Sequence, residues 1–256
     1  MAQFPFWGIL AIHLRHTSLI MPVKRRSARP PATATPHRRG GTSLENLVRR
    51  GPSRPVLPTI LIVCDGQNTE PSYFKQFRLA SARIVAIGSG NNTTSTVQQA
   101  ISLSKQAEYD QVWCVFDRDS FPANNFNSAI ARALANGLHV AYSNQAFEYW
   151  LLLHFENHDG SPMHRTDYAT RLNTHLAPFG LHYDGTGSKI ISPELFALLQ
   201  AADPSSGRTR RKIAIGRARR IDQSWVKQGT PPAQQESTTL VYKLVQVIQR
   251  HMEYPR

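Results

Sequence analysis

Residues 60–70 read Ile60-Leu61-Ile62-Val63-Cys64-Asp65-Gly66-Gln67-Asn68-Thr69-Glu70. An apolar run stops at an acid, a glycine follows, and a second acid opens a helix. Such a run, bounded by turn residues, has the character of a strand buried on both faces. The pattern returns as Val112-Trp113-Cys114-Val115-Phe116-Asp117-Arg118-Asp119. Two buried strands ending in carboxylates place acids together at the carboxyl edge of a parallel sheet, where open α/β sheets bind their ligands. Hard cations such as Mg²⁺ are held by a few carboxylates, waters and phosphate oxygens. The two segments therefore predict a metal site.

Working outward, strands and helices alternate from Val56. Strands are expected at about 59–64, 83–88, 111–116 and 138–143. Helices are expected from Thr69, as the cap, to about 80, then at about 93–108, 123–136 and 146–156. Four βα units with short connections imply an α/β fold with a mainly parallel four-stranded sheet flanked by helices. Beyond 157 the pattern turns helical, at about 166–177, 192–202, 211–226 and 237–252. The expected organisation is a tail over 1–55, an α/β core over 56–157, and a helical subdomain over 158–256 packed on that core.

The net charge of +13 is unevenly spread. Residues 1–55 hold ten Lys and Arg against the single acid Glu45. This tail, rich in Pro, Arg and Thr, has too little apolar surface for a core, so disorder is expected. It reads either as an arm that neutralises nucleic-acid phosphates or as a solvated leader. The first twenty residues resemble a signal peptide, but the start lacks positive charge, and Arg15 and two histidines break the apolar run. They read instead as an upstream mis-start, with Met21 opening a basic N-terminus. The sequence holds no run of 18 apolar residues, so no membrane span is expected. Cys64 and Cys114 read as small core hydrophobes and suggest no zinc site, in keeping with a cytoplasmic protein.

Several side chains are candidates for chemistry. Asp117 and Asp119 alternate along an extended segment and so share a side, where they can share a divalent ion. Asp65 meets them if strands one and three are neighbours, as in a flavodoxin-like order. Glu70 either reaches the ion or steadies its helix N-terminus, an effect of about 0.3–1 kcal/mol. Glu148, within Phe147-Glu148-Tyr149-Trp150, is costly to bury unpaired and must face an arginine, a metal or water. His154 has the position of a core histidine. Arg208, Arg210, Arg211, Lys212, Arg217, Arg219 and Arg220 form the densest basic cluster of the folded part, either a phosphate-backbone groove or a solvated helix face. Lys189 follows a Gly/Ser turn and can contact a phosphate.

Three segments, ILIVCDGQNTEPSYFKQF, VWCVFDRDSF and YSNQAFEYWLLLHFE, together resemble the RloB-like family. The family's first motif reads CEG-x-TEP-x-YF. Cys64, Gly66, Thr69, Glu70, Pro71, Tyr73 and Phe74 match it, while Asp65 replaces Glu and one residue is added before Thr69. Its DxD matches Asp117 and Asp119. Its SNP-x-FE-x-WLLLHF matches Ser143, Asn144, Phe147, Glu148 and Trp150 through Phe155, with Gln145 in place of Pro. Ser237-Thr238-Thr239-Leu240-Val241 is similar to its NPST-x-V segment without the Asn-Pro. The resemblance implies a Toprim-like fold, a link to bacterial restriction and abortive-infection loci, and an ATPase partner from the same locus.

The expected function is a Mg²⁺- or Mn²⁺-dependent nuclease acting on DNA or RNA in antiphage defence. Asp117 and Asp119 hold the metal, Asp65 is ligand or general base, and Glu70 and Glu148 support. The alternative is a non-catalytic nucleic-acid-binding adaptor, which the shorter Asp65 favours. A phosphoryl-accepting receiver would need one dominant Asp and a suitably placed Lys, and neither is evident. The sequence leaves the oligomeric state open.

Overall fold

A computed structural model of the chain describes residues 59–79, 81–86 and 93–253. The expected tail over 1–55 and the end of the strand expected at about 83–88 lie outside them. The elements run β1 (Ile60–Cys64), α1 (Thr69–Lys75), β2 (Ala82–Ala86), α2 (Thr93–Ser104), β3 (Gln111–Asp117), α3 (Ala123–Ala135), β4 (His139–Asn144) and α4 (Glu148–Leu152). Then come α5 (Arg165–Leu176), α6 (Pro193–Gln200), α7 (Arg210–Gln228), β5 (Thr238–Thr239) and α8 (Val241–Glu253).

The strand order is β2-β1-β3-β4-β5. The first three pairings are parallel and β4–β5 is antiparallel. The sheet thus has five strands, not the expected four. Residues 238–239, expected to begin a helix, pair with Asn144 and Ser143 instead. Two β-branched threonines favour the extended form, and the Ser143 and Thr239 hydroxyls hydrogen-bond across the pair at 3.0 Å. Leu240 N–H then donates to Tyr142 O at 2.8 Å before α8 begins.

The continuous apolar runs are explained by cover on both faces. Ile60, Ile62, Cys64, Trp113, Val115 and Ala141 pack with α1 and with α4 to α8. Leu61, Val63, Cys114, Phe116, Val140 and Tyr142 pack with α2 and α3. The described residues from Thr59 to Glu253 belong to one compact unit, and the helices beyond residue 157 share the first of these clusters with the sheet. Cys64 and Cys114 are free and buried. Cys114 stands opposite Val63, so the two thiols face opposite sides of the sheet. No helix among the described residues is long and apolar enough to cross a membrane.

Three helices are shorter than their patterns suggest: α2, which ends at Ser104 rather than about 108, α1 and α4. α1 stops at Lys75 because the chain turns back at Arg78, whose φ of 51° is left-handed, and enters β2. α4 is confined to Glu148–Leu152, all buried, rather than 146–156. Beyond it the helical ladder loosens: His154 N–H donates to Leu151 O, three residues back. Side chains take the freed carbonyls. His154 Nδ1 lies 2.9 Å from Trp150 O, and Arg217 Nη1 donates to Leu153 O at 2.8 Å.

Candidate active site

β1 and β3 are neighbours, so the strand order reverses between them and opens a crevice at their carboxyl ends. The ladder continues one step past β1, with Asp65 N–H donating to Val115 O at 2.9 Å. Asp65 therefore leaves the sheet beside the end of β3. A cleft of about 260 Å³ opens there, lined by Asp65, Gly66, Thr69, Glu70, Asp117, Asp119, Glu148, Arg165 and Lys189 among others. All five acids expected at the site line this one cleft, with Lys189.

Each acid has its own environment. Asp65 Oδ1 accepts from the Thr96 hydroxyl of α2 at 2.9 Å. Burial pushes its carboxyl up, and the Thr96 bond partly offsets this. Glu70, 5% exposed in the first turn of α1, folds back so that Oε1 accepts from Gly66 N–H at 3.3 Å. Burial first, and then the charge of Glu148, push Glu70 up to about 7. Asp117 is raised well above the usual carboxylate range by burial and by Glu70 and Glu148. Its Oδ1 is buried without a hydrogen-bond partner. The most strongly interacting acids are thus Glu70, Asp117 and Glu148, drawn from three elements, rather than the DxD pair.

Asp119 takes a left-handed backbone, φ 44°, so the DxD is not a simple extended segment. Its carboxylate forms an ion pair with Arg165 at the start of α5. Glu148, 9% exposed, has a phenol rather than an arginine as its hydrogen-bond partner. Tyr183 donates its hydroxyl to Glu148 Oε1 at 2.8 Å and, its one proton spent, accepts from Thr69 at 3.1 Å. Burial and the Glu148 charge raise Tyr183, keeping it a phenol donor. Thr69 is the first helical residue and Asn68 the cap, so its hydroxyl serves this chain of bonds rather than the helix end. His154 lies in the core, pushed down to about 3 by burial, and is neutral.

Gly66 has a specific task. A Cβ there would meet Glu70 Oε2 at 2.2 Å. Gly66→Ala should drive the Glu70 carboxylate out of its seat. We expect activity to fall by at least about tenfold, with stability changed by about 1 kcal/mol or less, because the displaced atoms end a side chain. Parallel unfolding curves and turnover assays check this.

The family resemblance implies a divalent ion. The donors are hard carboxylate oxygens, and the buried, unpartnered Asp117 Oδ1 beside two mutually repelling acids is an atom that a cation would satisfy. The donor chemistry fits Mg²⁺ or Mn²⁺. Among the described residues, however, no group of three or more His, Cys, Asp or Glu side chains stands ready to hold an ion. Thr96, Arg165 and Tyr183 engage Asp65, Asp119 and Glu148.

The basic cluster divides. Arg210, 5% exposed, donates to Ala202 O at 3.0 Å and lies over the Phe155 and Phe179 rings. Arg217 holds the Leu153 carbonyl, and Arg211 faces the side-chain amide of Gln249, whose oxygen accepts at 2.8 and 2.9 Å. These three knit α7 to its neighbours, so they are more than a solvated helix face. Arg220 bonds Asn157 and the His158 carbonyl. Arg208, Lys212 and Arg219 are exposed. None of the α7 cluster lines the cleft. Arg210→Ala should cost about 2–4 kcal/mol, by unmaking a charge-assisted bond and two ring contacts in a buried site. Urea denaturation of the variant measures it.

Thr96, Arg165 and Tyr183 are partners that sequence reading missed. They come from α2, α5 and the turn before α6, and nothing local distinguishes them.

The family model for RloB-like protein matches residues 60–248, and the chain belongs to that family. No curated protein and no solved structure matches it.

Proposed function

We propose that the protein is a Mg²⁺- or Mn²⁺-dependent nuclease of Toprim-like type that hydrolyses phosphodiesters of DNA or RNA in the cytoplasm, as part of an antiphage system. The observation that carries the reading is the gathering of Asp65, Glu70, Asp117, Asp119 and Glu148 with two basic residues in one cleft at the switch point. Asp117 and Asp119 would hold the ion, with Asp65 as ligand or base. When bound, the ion supplies an activated water and offsets phosphate charge. Glu70, titrating near 7, can take or return a proton at neutral pH. Arg165 and Lys189 supply the cationic side of the cleft. The exposed Arg208, Lys212 and Arg219 offer a further phosphate-binding face, and an ATPase from the same locus is the expected partner.

A second reading, a nucleic-acid-binding adaptor without turnover, is favoured by the protein partners that already engage Asp65, Asp119 and Glu148. Incubating the full chain with mixed DNA and RNA, in Mg²⁺, in Mn²⁺ and in chelator, separates the two. Metal-dependent cleavage supports the nuclease; retained binding with no cleavage, with the ATPase partner also supplied, supports the adaptor.

A further inference from the structure

The carboxylate cleft does not end at Arg165 and Lys189. A second cavity of about 230 Å³ lies beyond them, lined by Glu148, His164, Arg165, Thr166, Ala169, Gly185, Thr186 and Lys189. Glu148, Arg165 and Lys189 line both spaces. Two cationic side chains thus stand on the border between an acidic cleft and a side cavity that carries the hydroxyls of Thr166 and Thr186.

The border is built by local chemistry. Asp184 organises the turn before Lys189. Its carboxylate accepts from Gly187 N–H at 2.8 Å and Ser188 N–H at 2.7 Å, and its carbonyl accepts from Lys189 N–H at 3.0 Å. Gly185 lets the turn lie against α5, since a Cβ there would meet Ala169 Cβ at 2.7 Å. Lys189 itself has φ 53°. Asp119 and Lys189 are two of the three non-glycine residues with left-handed backbone among those described, and both line the cleft. Such conformations cost free energy and gather where a side chain must be aimed. Across the border, Arg165 is fixed by its backbone N–H, which donates to Gln145 Oε1 at 3.1 Å. Its guanidinium holds Asp119. Among the described residues the Lys189 ammonium makes no ion pair, although it lines a cleft with five acids.

An ammonium with no ion pair among the described residues, beside a guanidinium and between a carboxylate site and a recess, has the chemistry of a phosphate seat. We infer that Arg165 and Lys189 seat a phosphate of the nucleic-acid backbone and that the side cavity takes one unpaired nucleotide next to it. This inference rests on the nuclease reading of the cleft and narrows its substrate to single strands or frayed ends. A base held in a duplex is stacked and paired, and entering a recess of this size requires leaving the stack. In a single strand it costs little. Thr186 offers a hydroxyl to a base edge or ribose, and the His164 ring, held by the Thr166 hydroxyl at 2.8 Å from Nδ1, offers a flat face. A phosphate on Arg165 also competes with Asp119 for the guanidinium, so substrate binding frees an acid that the ion would use.

The test is binding by the full chain in chelator, read by fluorescence anisotropy. The probes are short labelled single strands of DNA and of RNA, and the matched blunt DNA duplex, each at several salt concentrations. Residues 1–55 are present in every variant and contribute equally. The expected result is tighter binding of single strands than of duplex. Arg165→Ala with Lys189→Ala should weaken single-strand binding by about tenfold or more and flatten its salt dependence by roughly one phosphate contact, about 0.7 in slope. Lys189→Gln, which removes one charge and leaves the Asp119 ion pair intact, should show part of both effects. Equal affinity for duplex and single strand, or unchanged affinity and slope in both variants, overturns the inference. Wild-type binding with these signatures but no cleavage in Mg²⁺ or Mn²⁺ removes the nuclease reading and leaves the phosphate seat. Cleavage by the wild type, with the double variant binding as tightly, does the reverse.

Discussion

Asp117→Asn is expected to lower cleavage by at least about a thousandfold while leaving the fold as stable as before or more so. The two halves of this expectation have one cause. Asp117 stands with Glu70 and Glu148 in a buried site, and its carboxyl is raised by burial and by both neighbours. A charge so placed destabilises the folded protein in the absence of a cation. Asparagine keeps the size and removes the charge. Asp119→Asn should lose activity likewise but gain no stability, because it gives up the part-exposed Arg165 ion pair, a loss of about 0.2–1 kcal/mol. Urea unfolding in chelator, beside cleavage assays, reads both. A large loss of stability in Asp117→Asn would make the acid structural.

Stability in chelator should fall as pH rises from about 4.5 to above 7. Glu70 titrates near 7 in the folded protein, against an ordinary value of 4.5. Between these values the folded state holds more protons than the unfolded state, so raising the pH favours unfolding. Below the window Glu70 is protonated in both states and there is no penalty. Above it the full penalty applies, on the order of 3 kcal/mol. Asp117 is shifted in the same direction and steepens the slope. Glu70→Gln should flatten the dependence and raise stability at about pH 8. Unfolding midpoints at pH values across the window measure this, and a wild-type curve that stays level or rises contradicts it.

The sheet was legible because buried parallel strands must be apolar on both faces, which gives unbroken runs such as Ile60–Cys64. Asp65 and Asp117 were legible because they sit directly at the ends of those runs. β5 was not, since two threonines are too few to carry a period and their pairing comes from Ser143, about a hundred residues earlier. The partners of the acids were also hidden. Arg165 and Tyr183 lie in polar stretches far along the chain, and folding alone brings them to Asp119 and Glu148. The basic cluster was legible as charge but not as destination. Arginine can bury its stem and still place its donors on carbonyls, and Arg210 and Arg217 do so. Density of charge along α7 therefore overstated the surface available to a phosphate backbone.

Whether the cleft acids hold a divalent ion can be read by calorimetric titration of Mn²⁺ into the full chain, which needs neither substrate nor partner. Saturable binding is expected, lost or weakened at least about tenfold in Asp117→Asn, with a rise in the unfolding midpoint on adding Mn²⁺ that is greatest above pH 7. Absence of saturable binding in the wild type, or binding of equal strength in Asp117→Asn, would contradict it.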